Sequence, residues 1–386
     1  MAGFSSMDDF VNQVTVNGKF WRADWNKNTF GTTAHTAGQW YCLSGGGGNP
    51  TANTIFGTGT NLSLQCLGYD AVGAEGIYHG GHVATGNNPI GYKQILNASA
   101  FSAAATTMPA VFMLVDMLGF HPITTVTSTA SQTLINSTTF TAANATDIIT
   151  HAAYDIEHMS AVKVSNSGGA LPSGLSAATT YYTIRQSATT SKLASSYDNA
   201  ENNVAIDLTS DGTGTNTITV ELPRYADGKG VQCFLVPSTV MGAGTPTVTL
   251  TYVNQLGTTG RTTPTSPALP TLNATSPVTA IPYSGTASGK FGPFLPLASG
   301  DGGVRLATAI QFSATMTSGV MNLVYCRPLL TLPMTTIGVA AERDLLSQIP
   351  SLPRVYDGAC LAWLMYAGAA TPVNSAFYGH LDFGWS

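Results

Sequence analysis

Charge is what this chain has least of. Asp, Glu, Lys and Arg together make up 9% of its 386 residues, against about a quarter in an ordinary globular protein. The 15 basic residues are scattered singly and the net charge is −5, so the clustered Lys and Arg that a phosphate backbone requires are missing and no nucleic-acid partner is expected. Long apolar runs are missing too. The longest, Ala110 to Phe120, is broken by Asp116 and falls short of the roughly 20 residues of a membrane-spanning helix, so no membrane partner is expected. The cysteines Cys42, Cys66, Cys233, Cys326 and Cys360 are far apart and never form a CxxC pair. That argues against a zinc ribbon or a disulfide framework and for buried free thiols. Met1 to Asp9 carries two acidic residues and no basic one, which does not read as a secretory signal and predicts a chain made and kept in a cytosol.

Catalytic signatures are equally scarce. No GxSxG, HExxH or P-loop occurs, and no GxGxxG follows a strand and opens a helix. Glu75, His79 and His82 have metal-ligand types, but Gly80 and Gly81 break the helix that would bring them together, so they read as an exposed loop. Asp155, Glu157 and His158 resemble an acid/base set. Strand alternation would place the two carboxylates on one face and the imidazole on the other, as at a solvent-facing edge. The Asn-x-Ser/Thr triplets at Asn61, Asn97, Asn136, Asn144 and Asn273 are what a Ser/Thr-rich chain produces by chance. No catalytic residue, metal ligand or cofactor is therefore assigned.

What is present is β-like. The chain has 41 Gly and 20 Pro, with a 44% apolar fraction that excludes disorder. Ser6 ahead of Met-Asp-Asp-Phe-Val predicts a short N-capped helix, and Val339 to Ile349 predicts up to three turns before Pro350. Elsewhere the pattern is of short strands. Thr247–Val253 places Val248, Leu250 and Tyr252 on one face, and Leu306–Phe312 places Leu306, Thr308, Ile310 and Phe312 on one face. Val231–Val236, Val320–Tyr325, Cys360–Tyr366 and Phe377–Phe383 add further strands. Residues 44–51 and 262–275 are too rich in Gly or Pro for regular structure and read as a loop and an extended connection. The fold class predicted is all-β: an antiparallel β-sandwich or jelly-roll-like main domain with an inserted small β domain. Residues 1–100 form the N-terminal arm and first part of the main domain, 101–137 further main-domain strands, 138–220 the inserted module, and 221–386 the continued sandwich.

A surface so poor in charge is expected to be covered largely by partners. Trp21, Trp25, Phe30, Trp40 and Tyr41 are the candidate subunit-contact residues, since aromatics concentrate at obligate interfaces. Stacking on sugar rings is the alternative use of such a cluster.

The inserted segment carries, in order, Leu171-Pro-Ser-Gly-Leu-Ser-Ala-Ala-Thr-Thr-Tyr-Tyr-Thr-Ile184, Lys192-Leu-Ala-Ser195, Ala205-Ile-Asp-Leu208 and Gly212-Thr-Gly-Thr215. This series resembles a small β module of tailed-bacteriophage virion structural proteins. Gly292–Asp301, Val304-Arg305 and Pro350–Asp357 are similar to head-associated structural proteins of phages. The resemblance implies a non-enzymatic virion protein, made in the host cytoplasm and resident on the capsid surface. Its partners would be the major capsid protein and further copies of itself, as a trimer or other symmetric oligomer. No helix long enough for the spine of a tailed-phage shell protein is predicted. The expectation is thus a head decoration or cement protein, with a tail, collar or fibre component for host attachment as the alternative.

Overall fold

The computed structural model describes residues 4–28, 37–45, 48–49, 63–67, 92–102, 110–151, 154–266, 268–269, 281, 292–336, 338–348, 352–356, 358–368, 370 and 375–386. Phe30, Glu75, His79, His82, Asn61 and Asn273 lie outside them. In chain order the strands are β1 (Phe20–Asn28), β2 (Gln39–Cys42), β3 (Gly48–Asn49), β4 (Gln65–Cys66), β5 (Lys93–Ser102), β6 (Ala110–Ile123) and β7 (Gln132–Thr133). They continue with β8 (Ser137–Ala143), β9 (Ile148–Thr150), β10 (Ala161–Ser167), β11 (Thr180–Ser187), β12 (Thr190–Ala194) and β13 (Thr215–Val220). The last are β14 (Gln232–Pro237), β15 (Val248–Asn254), β16 (Arg261–Thr262), β17 (Val304–Phe312), β18 (Met321–Met334), β19 (Ala341–Asp344), β20 (Arg354–Val355), β21 (Cys360–Ala367) and β22 (Ala376–Trp385). Among the described residues helix is confined to α1 (Met7–Val11), a following π-turn at Asn12–Val16, a 3₁₀ turn at Leu43–Gly45, α2 (Tyr197–Glu201) and α3 (Leu345–Gln348). The all-β sandwich fold is present, in doubled form.

The central sheet runs β14-β18-β6-β21-β2, with β4 joining β6 beyond β21. The Ala110–Phe120 run is its central strand, apolar because both faces are covered. One face of β6 and β18 serves two cores. Phe112, Leu114, Leu330 and Leu332 pack with Ile95, Trp363, Phe377 and Phe383 under the sheet β19-β5-β22-β1-β3. Further along, Leu118, Ile123, Leu323 and Tyr325 pack with Leu250, Tyr252 and Ile310 under the sheet β16-β15-β17-β7. The pairing of β6 with β18 shifts register at Leu118 and at Leu329, and each bulge keeps alternate residues aimed at the covered faces. Pro328 and Pro333 sit in β18 beyond Met321–Cys326, the part that β14 pairs, so their missing N–H groups cost no ladder bond on that side.

Strands β8 to β13 close into a six-stranded barrel between β6 and β14 of the central sheet. Phe140, Ile149, Val162, Tyr181, Leu193 and Ile218 form its interior, in one continuous apolar cluster with the sandwich beneath β15 and β17. Residues 63–67 are wedged between the two: Tyr154 Oη donates to the Leu64 carbonyl at 2.7 Å, and Leu64 N donates to the Ile135 carbonyl. Gly168, in the β10–β11 connection, takes φ +75°, a conformation that disfavours any side chain.

Three local expectations are corrected. Ala341–Asp344 is an edge strand paired with Asn97–Ala100 of β5, and helix begins only at Leu345, because sheet pairing outweighs the helix preference of Ala-Glu-Arg. In β17 the partners jump from Thr251↔Ala309 to Tyr252↔Ala307. Thr308 is thus bulged out, Ala307 rather than Leu306 enters the core, and only Ile310 and Phe312 keep the expected face. In the Gly-rich stretch, Gly48–Asn49 is not loop but pairs with Asn26 and Lys27 of β1. The 262–266 connection runs beside β15, with Thr263 and Ser266 donating backbone N–H to the carbonyls of Leu250 and Val248.

Candidate functional site

The five aromatics of the expected contact cluster do not form one surface. On β1 the residues Ala23, Trp25 and Lys27 point inward. Trp25 is 2% exposed and stacks at 5.0 Å on Trp363 and 6.0 Å from Phe112 inside the first sandwich. Tyr41 is buried in that core, and Trp40 is buried on the opposite face of the central sheet beside Tyr366. These three are consumed by packing within the chain and are corrected as subunit contacts, because two strongly hydrophobic faces of one sheet claim them first. Trp21 continues the inward row but lies at the open rim, 44% exposed. It closes a short apolar stretch with Met7, Val11, Val16 and Phe20, all exposed. Met7 and Val11 are one turn apart on α1, whose Ser6 cap accepts from Asp9 N at 3.0 Å, as expected, and whose Phe10 is buried against Phe4.

The outer face of β1-β22-β5-β19 holds a groove of about 430 Å³. Cross-strand register builds it. Asp24 lies opposite His380, His380 opposite Ser99, and Ser99 opposite Glu342, giving one row across four strands. The adjacent row is Asn26, Tyr378 and Phe101, the two rings offset-stacked at 5.3 Å. On the other side Arg22 makes a two-pronged bond to Asp382 at 2.7 and 2.8 Å, next to Asn97. His380 Nδ1 is 2.7 Å from Ser99 Oγ, and its Nε2 is 3.4 Å from Asn97 Nδ2 and 3.8 to 3.9 Å from the carboxylates of Asp382 and Glu342.

Serine, histidine and carboxylate are the residue types of acyl transfer, but their bonding here is different. Both ring nitrogens are engaged within the sheet, Nε2 with the Asn97 amide and Nδ1 with Ser99 Oγ. That oxygen also accepts the backbone N–H of His380 at 3.1 Å. Ser99 is 5% exposed and its oxygen is tied to the backbone of β22, so it is held within the sheet.

This groove was not read from the sequence. Ser99, Glu342 and His380 belong to three strands far apart in the chain, and only the pairing of β5 with both β19 and β22 unites them. Conversely, Asp155, Glu157 and His158 are not on a strand. Asp155 holds Arg185 at 2.9 and 3.2 Å, and His158 Nδ1 accepts the Arg185 N–H at 3.3 Å, so both tie the barrel together. The five cysteines are buried and free, and burial pushes the thiols of Cys66 and Cys360 up to about 12, which leaves them unreactive. Among the described residues no three His, Cys, Asp or Glu side chains could share a metal ion, and no helix is long and apolar enough to cross a membrane.

Compared with protein-family models and with curated proteins, the chain matches none.

Proposed function

We propose that this chain is a non-enzymatic structural subunit of a tailed-phage particle, acting as a decoration or cement protein that binds the head shell through its N-terminal apolar stretch. The observation that carries the reading is the exposure of Met7, Val11, Val16, Phe20 and Trp21 on a chain with 9% charged residues. Exposed apolar side chains spaced closely along one segment are what a buried contact with another subunit requires. The phage-like motifs of residues 171–215 support the same assignment, and all of them fall within the β10–β13 part of the barrel. Binding confined to the assembled lattice would stabilise the shell by linkage, since the unassembled protein offers no such site.

Cryo-electron microscopy of the intact particle, with copy number from quantitative mass spectrometry, tests this. Hundreds of copies on the head lattice, with Val16 and Trp21 at the contact, are expected. About a dozen copies at the neck or tail would overturn the cement role in favour of attachment. A Trp21→Asp variant that still decorates heads with unchanged occupancy would overturn the assigned contact.

A further inference from the structure

The groove on the outer face of β1-β22-β5-β19 has a lining that selects its ligand by chemistry. Tyr378, 36% exposed, stacks on Phe101 at one end. Asp24, Asn26, Glu342 and His380 line the rest together with Trp25, Ala340 and Gly379, and Ser99 lies in its floor. Its size falls within the range of small-molecule sites, roughly 300–1,000 Å³.

Exclusion narrows the class. Among the described residues the lining contains two carboxylates and neither Lys nor Arg, so phosphates, nucleic acids and anionic sugars are repelled. A divalent cation lacks its ligands, because no described trio of acidic, His or Cys side chains converges there. A lipid tail or an apolar peptide would strip water from Glu342, whose side chain is 60% exposed, without replacing its hydrogen bonds. An uncharged pyranose satisfies every element. Its C–H face stacks on the Tyr378 ring, and its hydroxyls donate to the carboxylates and exchange hydrogen bonds with the Asn26 amide.

We infer that this groove is a binding site for an uncharged saccharide, with Tyr378, backed by Phe101, as the stacking ring and Asp24, Asn26 and Glu342 as the hydroxyl partners. The inference goes beyond the assembly role and does not depend on it, since a saccharide site on the first sandwich leaves the N-terminal stretch available.

The test uses the full chain on a glycan array of neutral, sialylated and phosphorylated oligosaccharides, followed by titration calorimetry with the best neutral tetrasaccharide. Binding to neutral members alone is expected, in the millimolar to micromolar range. Tyr378→Ala should weaken it about tenfold, the loss of one ring's stacking, with an unchanged unfolding temperature. Glu342→Gln, at an exposed position that cannot compromise folding, should weaken it severalfold. Lys229→Ala, on the second sandwich, should leave it unchanged. No binding to any neutral member, preferential binding of the anionic ones, or full affinity in a folded Tyr378→Ala protein would each overturn the site.

Discussion

His151 shows how a single side chain ties stability to pH. It is completely buried where the barrel meets the sandwich; Nδ1 donates to the Tyr154 carbonyl at 2.7 Å and Nε2 accepts from Ser191 Oγ at 3.1 Å. Since a carbonyl only accepts, Nδ1 carries a proton. Burial pushes its pKa below the ordinary imidazole value, an effect only partly offset by the Tyr154 carbonyl. The unfolded chain therefore takes up the proton first. The stabilisation is fully present above about pH 6.5, the unfolded value, and is lost as pH falls from there toward the lower folded value. Urea midpoints at about pH 7.5 and 5.5 should show the wild type losing stability on acidification, and His151→Gln should flatten that slope between these two pH values, which bracket the imidazole range. An equal slope in both proteins would mean that other groups carry it. Nothing in the residues flanking His151 marks it as buried; its environment comes from Tyr154 and from Ser191 on a strand 40 positions away.

At the scale of elements, the strands were legible where alternation was regular. Thr247–Val253 has its apolar residues on one side, and the structure buries Val248, Leu250 and Tyr252 as expected. Alternation fails where a bulge intervenes, as at Thr308, because an extra residue is decided by the partner strand and leaves no local mark. It fails again at Ala341–Asp344, whose helix-favouring composition loses to the free edge of β5. Close approach of elements is equally illegible. Gly379 of β22 faces inward opposite Trp25, and a Cβ there would stand 1.9 Å from the Ser99 carbonyl and 2.7 Å from the indole of Trp25. Gly379→Ala must push β22 away from β1 or β5, at a cost of about 3 kcal/mol. Chemical denaturation should register that loss, together with a change in the tryptophan near-UV signal; a variant of wild-type stability would mean that the sheet yields freely.

The whole molecule is two sandwiches and a barrel gathered on one long sheet, and a buried ion pair stands where they join. Asp116, on β6 between the residues that serve the two cores, is 1% exposed and takes both prongs of Arg224 at 2.8 and 2.9 Å. Arg224 follows the last barrel strand and also donates to the carbonyls of Leu67 and Met117, while Asp116 accepts the Cys360 N–H. Burial alone would lower the Arg224 pKa, but the Asp116 carboxylate outweighs it and holds the guanidinium charged. Asp116→Ala leaves that charge buried and unpaired, and should cost about 3–5 kcal/mol, whereas replacing the pair together, as Asp116→Leu with Arg224→Met, should restore most of the loss. Equilibrium unfolding of the single and double variants decides this; a mild single variant would show that the junction does not rely on the pair. What the sequence by itself determined was the all-β class, the short capped helix at Met7, the buried thiols and the scarcity of charge, because each follows from local pattern or composition. Which aromatics stay exposed, how one sheet serves two cores, the Asp116–Arg224 junction and the groove around His380 were decided only by the tertiary structure. Those features depend on strand partners and register between segments distant in the chain, which a linear pattern does not specify.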